Sequence, residues 1–427
     1  MLAPMASQPP AYEPTSPALR ALVERGYFEQ FSDFKAIDAA LSAGMVTFYI
    51  GFDPTASSLH AGSLLQLMAM RLLQKHGHRP IAILGGGTAM IGDPSGKTEM
   101  RKILSADEIS QNGSSIIEQF STLLHSDSNR ANDALFLDNR SWLSGLRYIE
   151  FLRDIGRHFT VNRMVTVKTY RERLDAEIPL SFLEFNYQLL QAYDFLELYR
   201  THGCTLQIGG SDQWGNIVAG IELIRRVTSE SDDKGAAYGL TLPLLTTADG
   251  KKMGKTERGA VWLAADRLSP FDYYQFWISC DDRDVGKLLR LYTELSIAEI
   301  DSLTATGGIA LNAAKARLAL ETTQLLHGKE AAKKAAEASK QAFGGGGDWS
   351  AVPCITLEPG SLRLVDLVTH PLIAAFKSKR EARQRIEGGA VKIDGQACTD
   401  PKTIVGSDGP IRLQAGKKIR LRIDFSA

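Results

Sequence analysis

Residues able to handle a phosphate gather in four short stretches of this chain. In the first, an aromatic and β-branched run at 46–51 passes through Gly51, Asp53, Pro54 and Thr55 into His60-Ala61-Gly62-Ser63 and an apolar-periodic stretch. A strand entering a helix through such a loop sets hydroxyl, imidazole and unpaired helix N–H groups where a phosphate can sit. The second stretch, GDPSGKT, holds Asp93 and Lys97; the third, GGSDQWGN, holds Asp212 and Gln213; the fourth is a lysine loop at 249–258 containing KKMGKT. Taken singly, a histidine is more often packed or solvated than functional, and a GKT is more often a solvated loop. What favours one shared site is that each cluster follows a strand-like run, because strand ends of an open parallel sheet converge on one crevice.

Two familiar nucleotide motifs each fall short by a single position. GDPSGKT would be a P-loop if the residue five before Gly96 were glycine, and it is Ile91. Gly85-Gly86-Gly87 would open a dinucleotide fingerprint if position 90 were glycine, and it is Met90.

The elements that must position these groups follow from periodicity. Helices are expected over 18–25 and 31–43, ended by Gly26 and Gly44. A strand at 46–51 precedes a helix whose stripe is Leu64, Leu65, Leu67, Met68 and Leu72, capped by Ser57 or Ser58 and closed by Gly77. RPIAIL at 79–84 is a buried strand, which makes a βαβ unit with a right-handed crossover. Next come a helix over 105–125, a strand at 134–138 and a helical pattern over 146–197. Strands at 204–208 and 240–245 flank a helix at 217–226. The alternation predicts an α/β fold with a doubly wound parallel sheet, Rossmann-like, followed by an α-helical part and a small α+β domain.

The expected domains are a disordered tail over 1–20, rich in Pro, Ser and Ala; a catalytic domain over 21–246 with a helical insert at about 139–200; and the lysine loop and its connection over 247–268. Then follow a helical domain over 269–342, a linker over 343–349 containing four consecutive glycines, and a last domain over 350–427. That last domain has a basic helix at 378–387 and a strand entering the Asp394-Gly395 turn. From residue 351 onward there are 13 Lys/Arg against 8 Asp/Glu. The whole chain of 427 residues has no net charge, with 44% hydrophobic and 23% charged residues, so composition gives no global pull toward nucleic acid or membrane. Four dispersed cysteines without a C-x-x-C pair argue against a zinc site or a disulfide framework and for a reducing, cytoplasmic setting. No secretion-type segment or membrane span is read in the sequence.

With these motifs assembled, a resemblance emerges. His60-Ala61-Gly62-Ser63 resembles the HIGH signature, and Lys252-Met253-Gly254-Lys255-Thr256 the KMSKS loop, of the class I aminoacyl-tRNA synthetases. YIGFDPTASSLHAG, IGDPSGK, NYQLLQAYDF and GGSDQWGN together resemble the bacterial tyrosyl-tRNA synthetases, and the likeness runs from about residue 22 to the C-terminus. The final domain is similar to the S4-like RNA-binding module, the helical one to an anticodon-stem domain.

The resemblance implies activation of L-tyrosine by ATP to tyrosyl-adenylate and pyrophosphate, then transfer to the 3′ end of tRNA(Tyr). It implies ATP as substrate, Mg2+ carried with it, no protein metal site, a homodimer formed through the insert, and neither membrane nor DNA as partner. Thr55, His60, Lys97, Lys252, Lys255 and Thr256 would serve the phosphates. Tyr49 and Asp194 would read the phenol hydroxyl, Tyr187, Gln191 and Asp93 the α-ammonium with Thr88 in support, and Gln213 the carboxylate. Gly51, Asp53, Gly62, Ser63 and Asp212 would lie along the nucleotide. Arg380, Arg383, Arg385 and Lys392 are candidate RNA contacts, against the plainer reading of a solvated basic face. Tyr187, Gln191 and Asp194, four and three residues apart, share one helical face; from the pattern alone, a plain polar helix face is the preferred reading.

Two departures stand out: Ser63 replaces the second signature histidine, and Gly254 and Thr256 replace the serines of the lysine loop. The rival readings are a tryptophanyl enzyme, an RNA-binding protein that uses the last module, and a catalytically silent homologue, the last disfavoured by the presence of His60, Lys252 and Lys255.

Overall fold

The computed structural model describes residues 12–95, 104–229, 236–246, 248, 253–256, 259–343, 352, 354–406, 410–416 and 419–425. Lys97 and Lys252, most of the tail and the four-glycine linker lie outside these residues, and so do the side chains of Lys255 and Thr256.

The chain divides into two units, one running to Arg267 and including Arg283–Ala305, the other combining Leu268–Asp282 with Thr306–Ala427. In the first, six strands form one sheet: β1 (Gln30–Phe31), β2 (Thr47–Phe52), β3 (Arg79–Leu84), β4 (Leu135–Asp138), β5 (Cys204–Gly210) and β6 (Tyr238–Leu242). Their order is β1-β6-β5-β2-β3-β4. β2 to β6 are mutually parallel and β1 joins antiparallel at the edge. The chain lays β2, β3 and β4 to one side, returns, and lays β5 and β6 to the other. The reversal falls between β2 and β5, where an open α/β sheet leaves a crevice at its carboxyl ends. The expected doubly wound sheet is therefore present with one antiparallel edge added.

The expected helix over 31–43 starts later, because Phe31 pairs with Leu240 in β1 and Asp33 caps the helix Phe34–Ala43 by accepting from Ala36 N at 3.0 Å. The helical pattern over 146–197 is not continuous. It breaks into Tyr148–Asp154, Val161–Met164 and Lys168–Asp175 before the long helix Phe182–His202. That helix begins at a reciprocal capping box between Ser181 and Glu184, and Glu184 pairs with buried Arg173 at 2.8 Å, which ties the insert to the helix carrying three candidate site residues. Tyr49 and Phe195 meet at 5.3 Å between ring centroids in the core beneath.

Two helices expected in the separate helical segment, Val285–Tyr292 and Ile297–Thr304, belong to this first unit. Tyr292 Oη donates to Ala61 O at 3.0 Å, and Arg25 Nη1 to Arg290 O at 3.0 Å.

In the second unit, Ser269 caps the helix Pro270–Ile278. A helical run Leu311–Phe343 is interrupted at Gly328, whose φ of 81° and ψ of 165° are not helical. A five-stranded sheet of Gln396–Cys398, Val391–Ile393, Ile411–Ala415, Ile419–Phe425 and Cys354–Leu357 packs with the helices Leu364–Val368 and Lys379–Glu387 around Leu367, Ile386, Leu413 and Ile423. Asp394 and Gly395 both take positive φ in the hairpin turn, as the Asp-Gly pair predicts.

Among the described residues, no helix is long and apolar enough to cross a membrane.

Candidate active site

Between the ends of β2 and β5 lies an open cleft of about 350 Å3. Parallel strands stop there, and each is followed by a turn that carries polar side chains.

The floor belongs to Tyr49 and Asp194. Tyr49 is 2% exposed, pairs in register with Gln207 of β5, and its hydroxyl is buried without a hydrogen-bond partner. Burial first, then the nearby Asp194 carboxylate, hold that hydroxyl well above its ordinary pKa, so it is a donor throughout the physiological range. Asp194 is 4% exposed; its Oδ2 accepts from Asn139 Nδ2 at 3.0 Å and its Oδ1 from Trp142 Nε1 at 2.7 Å. Burial pushes its pKa up to about 7, against the pull of the Asn139 and Trp142 hydrogen bonds, and Asp53 and Asp138 add to the rise. Asn139 also donates to Thr88 Oγ1 at 3.1 Å, and Thr88 donates to Asp53 Oδ1 at 3.2 Å. The lone pairs left on Asp194 and the free proton of Tyr49 make a paired acceptor and donor at the bottom of the cleft.

Above them sits a second polar set. Gln213 Nε2 donates to Asp93 Oδ2 at 2.8 Å, and Asn216 Nδ2 bridges Gln191 Oε1 and Gln213 Oε1 at 3.0 Å each. Tyr187 Oη approaches Asp53 Oδ2 at 3.4 Å. Asp93 with the amide oxygen of Gln191 and the oxygen of Tyr187 offers acceptors suited to a small cation such as an ammonium group.

The upper wall is the turn from β2 into the helix Ala61–Lys75. The cap of this helix is His60, not Ser57 or Ser58: its Nδ1 accepts from Ser63 N at 3.2 Å. Ser58 instead donates to Leu59 O at 2.8 Å, and the turn must run on to His60 because that residue is bridged to Trp262. With Nδ1 accepting, a neutral ring carries its proton on Nε2, a donor at the positive end of a helix. Gly62 is required here, since a Cβ on it would lie 2.9 Å from His60 Cε1. Ser63 Oγ lies 3.4 Å from His60 Nδ1 and faces the cleft, as do exposed Thr55 and the Gly51 backbone, where a Cβ would meet no atom within 4 Å.

The residues expected from the sequence thus meet at one place: Tyr49, Gly51, Asp53, Thr55, His60 and Ser63 from the first turn, Thr88 and Asp93 after β3, Tyr187, Gln191 and Asp194 on the long helix, and Asp212 and Gln213 after β5. Gly62 supports the cleft without lining it. Lys97 and Lys252 are outside the described residues. Lys255 is placed by its backbone in a two-residue hairpin with Ala260.

The family model for class I tRNA synthetases of the W and Y type matches residues 42–344, and the S4 domain model matches 375–409. The chain belongs to the class I tRNA synthetases. It is 51% identical over 402 residues to a tyrosine–tRNA ligase of Zymomonas mobilis, covering 94% of this chain and 96% of that one. To a tyrosine–tRNA ligase of Dinoroseobacter shibae it is 47% identical over 414 residues, covering 95% and 97%. Its structure is similar to that of a C-terminally truncated mitochondrial tyrosyl-tRNA synthetase of Aspergillus nidulans, with TM-score 0.68, 29% identity, and coverage of 76% of this chain and 94% of the other.

In this class I synthetase, the sequence missed Asn139, Trp142, Gln207 and Asn216 as site residues. Asn139 and Trp142 sit just beyond a strand with no motif of their own. They reach Asp194 only because β4 lies beside β3, which no local pattern reports. The four basic candidates Arg380, Arg383, Arg385 and Lys392 are all exposed, the first three on the helix Lys379–Glu387.

Proposed function

We infer that this enzyme is a tyrosine–tRNA ligase that consumes ATP. The observation carrying the reading is the unpartnered buried hydroxyl of Tyr49 beside the Asp194 carboxylate. A phenol satisfies both at once, donating its proton to Asp194 and accepting from Tyr49. Phenylalanine would leave two buried polar groups unpaired. An indole N–H can donate to Asp194 but has no lone pair for Tyr49, which disfavours tryptophan.

The substrate carboxylate oxygen attacks the α-phosphorus of ATP; the new P–O bond forms as the bond to the departing pyrophosphate breaks. Asp93, Tyr187 and Gln191 hold the ammonium group, Thr88 braces Asn139 and Asp53 behind it, and Gln213 stands by the carboxylate. Gly51, Asp53 and Asp212 border the nucleotide. His60 Nε2 and Thr55 donate to the phosphate oxygens, and Lys97, Lys252 and Lys255, with the Thr256 hydroxyl, oppose the charge of the leaving pyrophosphate. Magnesium enters with ATP as part of the substrate. In the second step, a 3′-terminal ribose hydroxyl of tRNA attacks the acyl carbon and AMP departs. Arg380, Arg383, Arg385 and Lys392 are proposed phosphate contacts for that tRNA.

A homodimer is part of the same reading. It is supported by the insert, where the large apolar side chains Ile149, Val161 and Phe182 are 70%, 61% and 68% exposed. The test of the function is charging of a bacterial tRNA pool with labelled amino acids. Tyrosine should be esterified to tRNA in an ATP-dependent manner; esterification of tryptophan instead, or of neither, would refute the reading.

A further inference from the structure

The segment that returns from the Lys255 hairpin is laced to the His60 turn over several residues. Ala61 N donates to Val261 O at 2.8 Å, Leu263 N donates to Leu59 O at 2.9 Å, and His60 and Trp262 form an antiparallel bridge between them. Ser58 Oγ accepts from Ala264 N at 3.1 Å. Upstream, Val261 N donates to Gly254 O at 2.9 Å, so the lacing runs directly into the hairpin in which Lys255 pairs with Ala260. Downstream, it is closed by one side chain: Arg267 Nη1 donates to Ser57 Oγ at 2.9 Å while its guanidinium carbon lies 4.2 Å from the centroid of the Trp262 ring, which lines the cleft.

A two-residue hairpin with a short ladder has little register preference of its own, and a slip of one residue turns every side chain to the opposite face. Such a slip would shift the Lys255 backbone relative to the His60 turn. The guanidinium suits the task of preventing it, because one planar group stacks on an aromatic face and donates at its edge in a single conformation. Arg267 is exposed and has no place in the cleft, so its contribution is to geometry.

We propose that Arg267, stacked on Trp262 and hydrogen-bonded to Ser57, is a positioning residue that locks the Lys255 hairpin in register on the His60 turn for amino-acid activation. This rests on the ligase reading, so the test measures wild type and variants side by side with both half-reactions separated. In single-turnover experiments Arg267→Ala lowers the rate constant for tyrosyl-adenylate formation roughly tenfold. The dissociation constants of tyrosine and ATP change by less than about twofold, as expected when an interaction serves the transition state alone. Transfer of tyrosine from preformed adenylate to tRNA keeps its wild-type rate. Arg267→Lys, which keeps the cation but not the planar fork, recovers part of the loss. Ser57→Ala, a milder change that serves if Arg267→Ala does not fold, shows the same split at about threefold. An unchanged activation rate, an equal fall in both half-reactions, or a loss confined to ATP binding would each overturn the proposal. Absence of adenylate with the wild-type protein would overturn the ligase reading and this inference with it.

Discussion

Asp194 is buried where a carboxylate is costly, and the fold keeps it there. Its folded pKa of about 7 lies above the ordinary aspartate value of 3.8, so the folded protein retains a proton that the unfolded chain has already lost. The sign follows: the protonated group's contribution to stability is fully present below about pH 4 and is lost as pH rises to about 7. Asp194→Asn should therefore make the substrate-free protein more stable at pH 8 by roughly 1–3 kcal/mol in urea unfolding, with a smaller gap at pH 5. Equal or lower stability of the variant at pH 8 would contradict the burial account. Tyr49→Phe removes the unpartnered hydroxyl and should lower kcat/KM for tyrosine in pyrophosphate exchange by about tenfold, on the scale of one buried hydrogen bond, with little change for phenylalanine. A variant that keeps full preference for tyrosine would exclude Tyr49 as the phenol donor. At this scale the sequence was most informative where spacing implied a face: Tyr187, Gln191 and Asp194 do point into one cleft. It was silent on Asn139 and Trp142, whose hydrogen bonds to Asp194 span 55 and 52 residues and exist only through strand order.

At the scale of elements, the turn at His60 and the lysine hairpin form one assembly. Gly254, with φ of 92°, packs so closely that a Cβ would lie 2.9 Å from Gly62 N. Gly254→Ala should combine backbone strain of about 1–2 kcal/mol with a lifted hairpin, slowing adenylate formation by at least about tenfold while tyrosine binding, read by fluorescence, stays unchanged. Wild-type activation by this variant would show that the close approach is incidental. The departure noted at this loop is thus tied to a backbone contact that a serine side chain would obstruct. The strands and helices around it were legible because apolar periodicity marks buried faces, as in RPIAIL. The helix cap was misplaced for a physical reason. Serine is the better cap by propensity, but bridging of His60 to Trp262 fixes where the helix begins. Likewise Phe31 fits a helical stripe, yet its pairing with Leu240 makes it an edge strand.

The whole molecule separates the site from the basic module. Tyr49, His60, Asp194 and Gln213 all lie in the first unit, whereas the S4-like part has its own core around Leu367, Ile386 and Ile423. Truncation after residue 343 should leave tyrosine-dependent adenylate formation within about twofold of the full chain and abolish tRNA charging, since phosphate contacts supply most of the affinity for a nucleic acid. Parallel loss of both activities would contradict separate duties. The allotment of Val285–Tyr292 to the first unit was not legible in the sequence, because it depends on contacts such as Tyr292 with Ala61. The central claim is that the cleft between β2 and β5 selects a phenol and activates it with ATP. It is tested most directly by ATP–pyrophosphate exchange with each of the twenty amino acids in turn. The structure predicts exchange with tyrosine and at most a trace with phenylalanine or tryptophan; exchange driven by tryptophan, or by no amino acid, would contradict it.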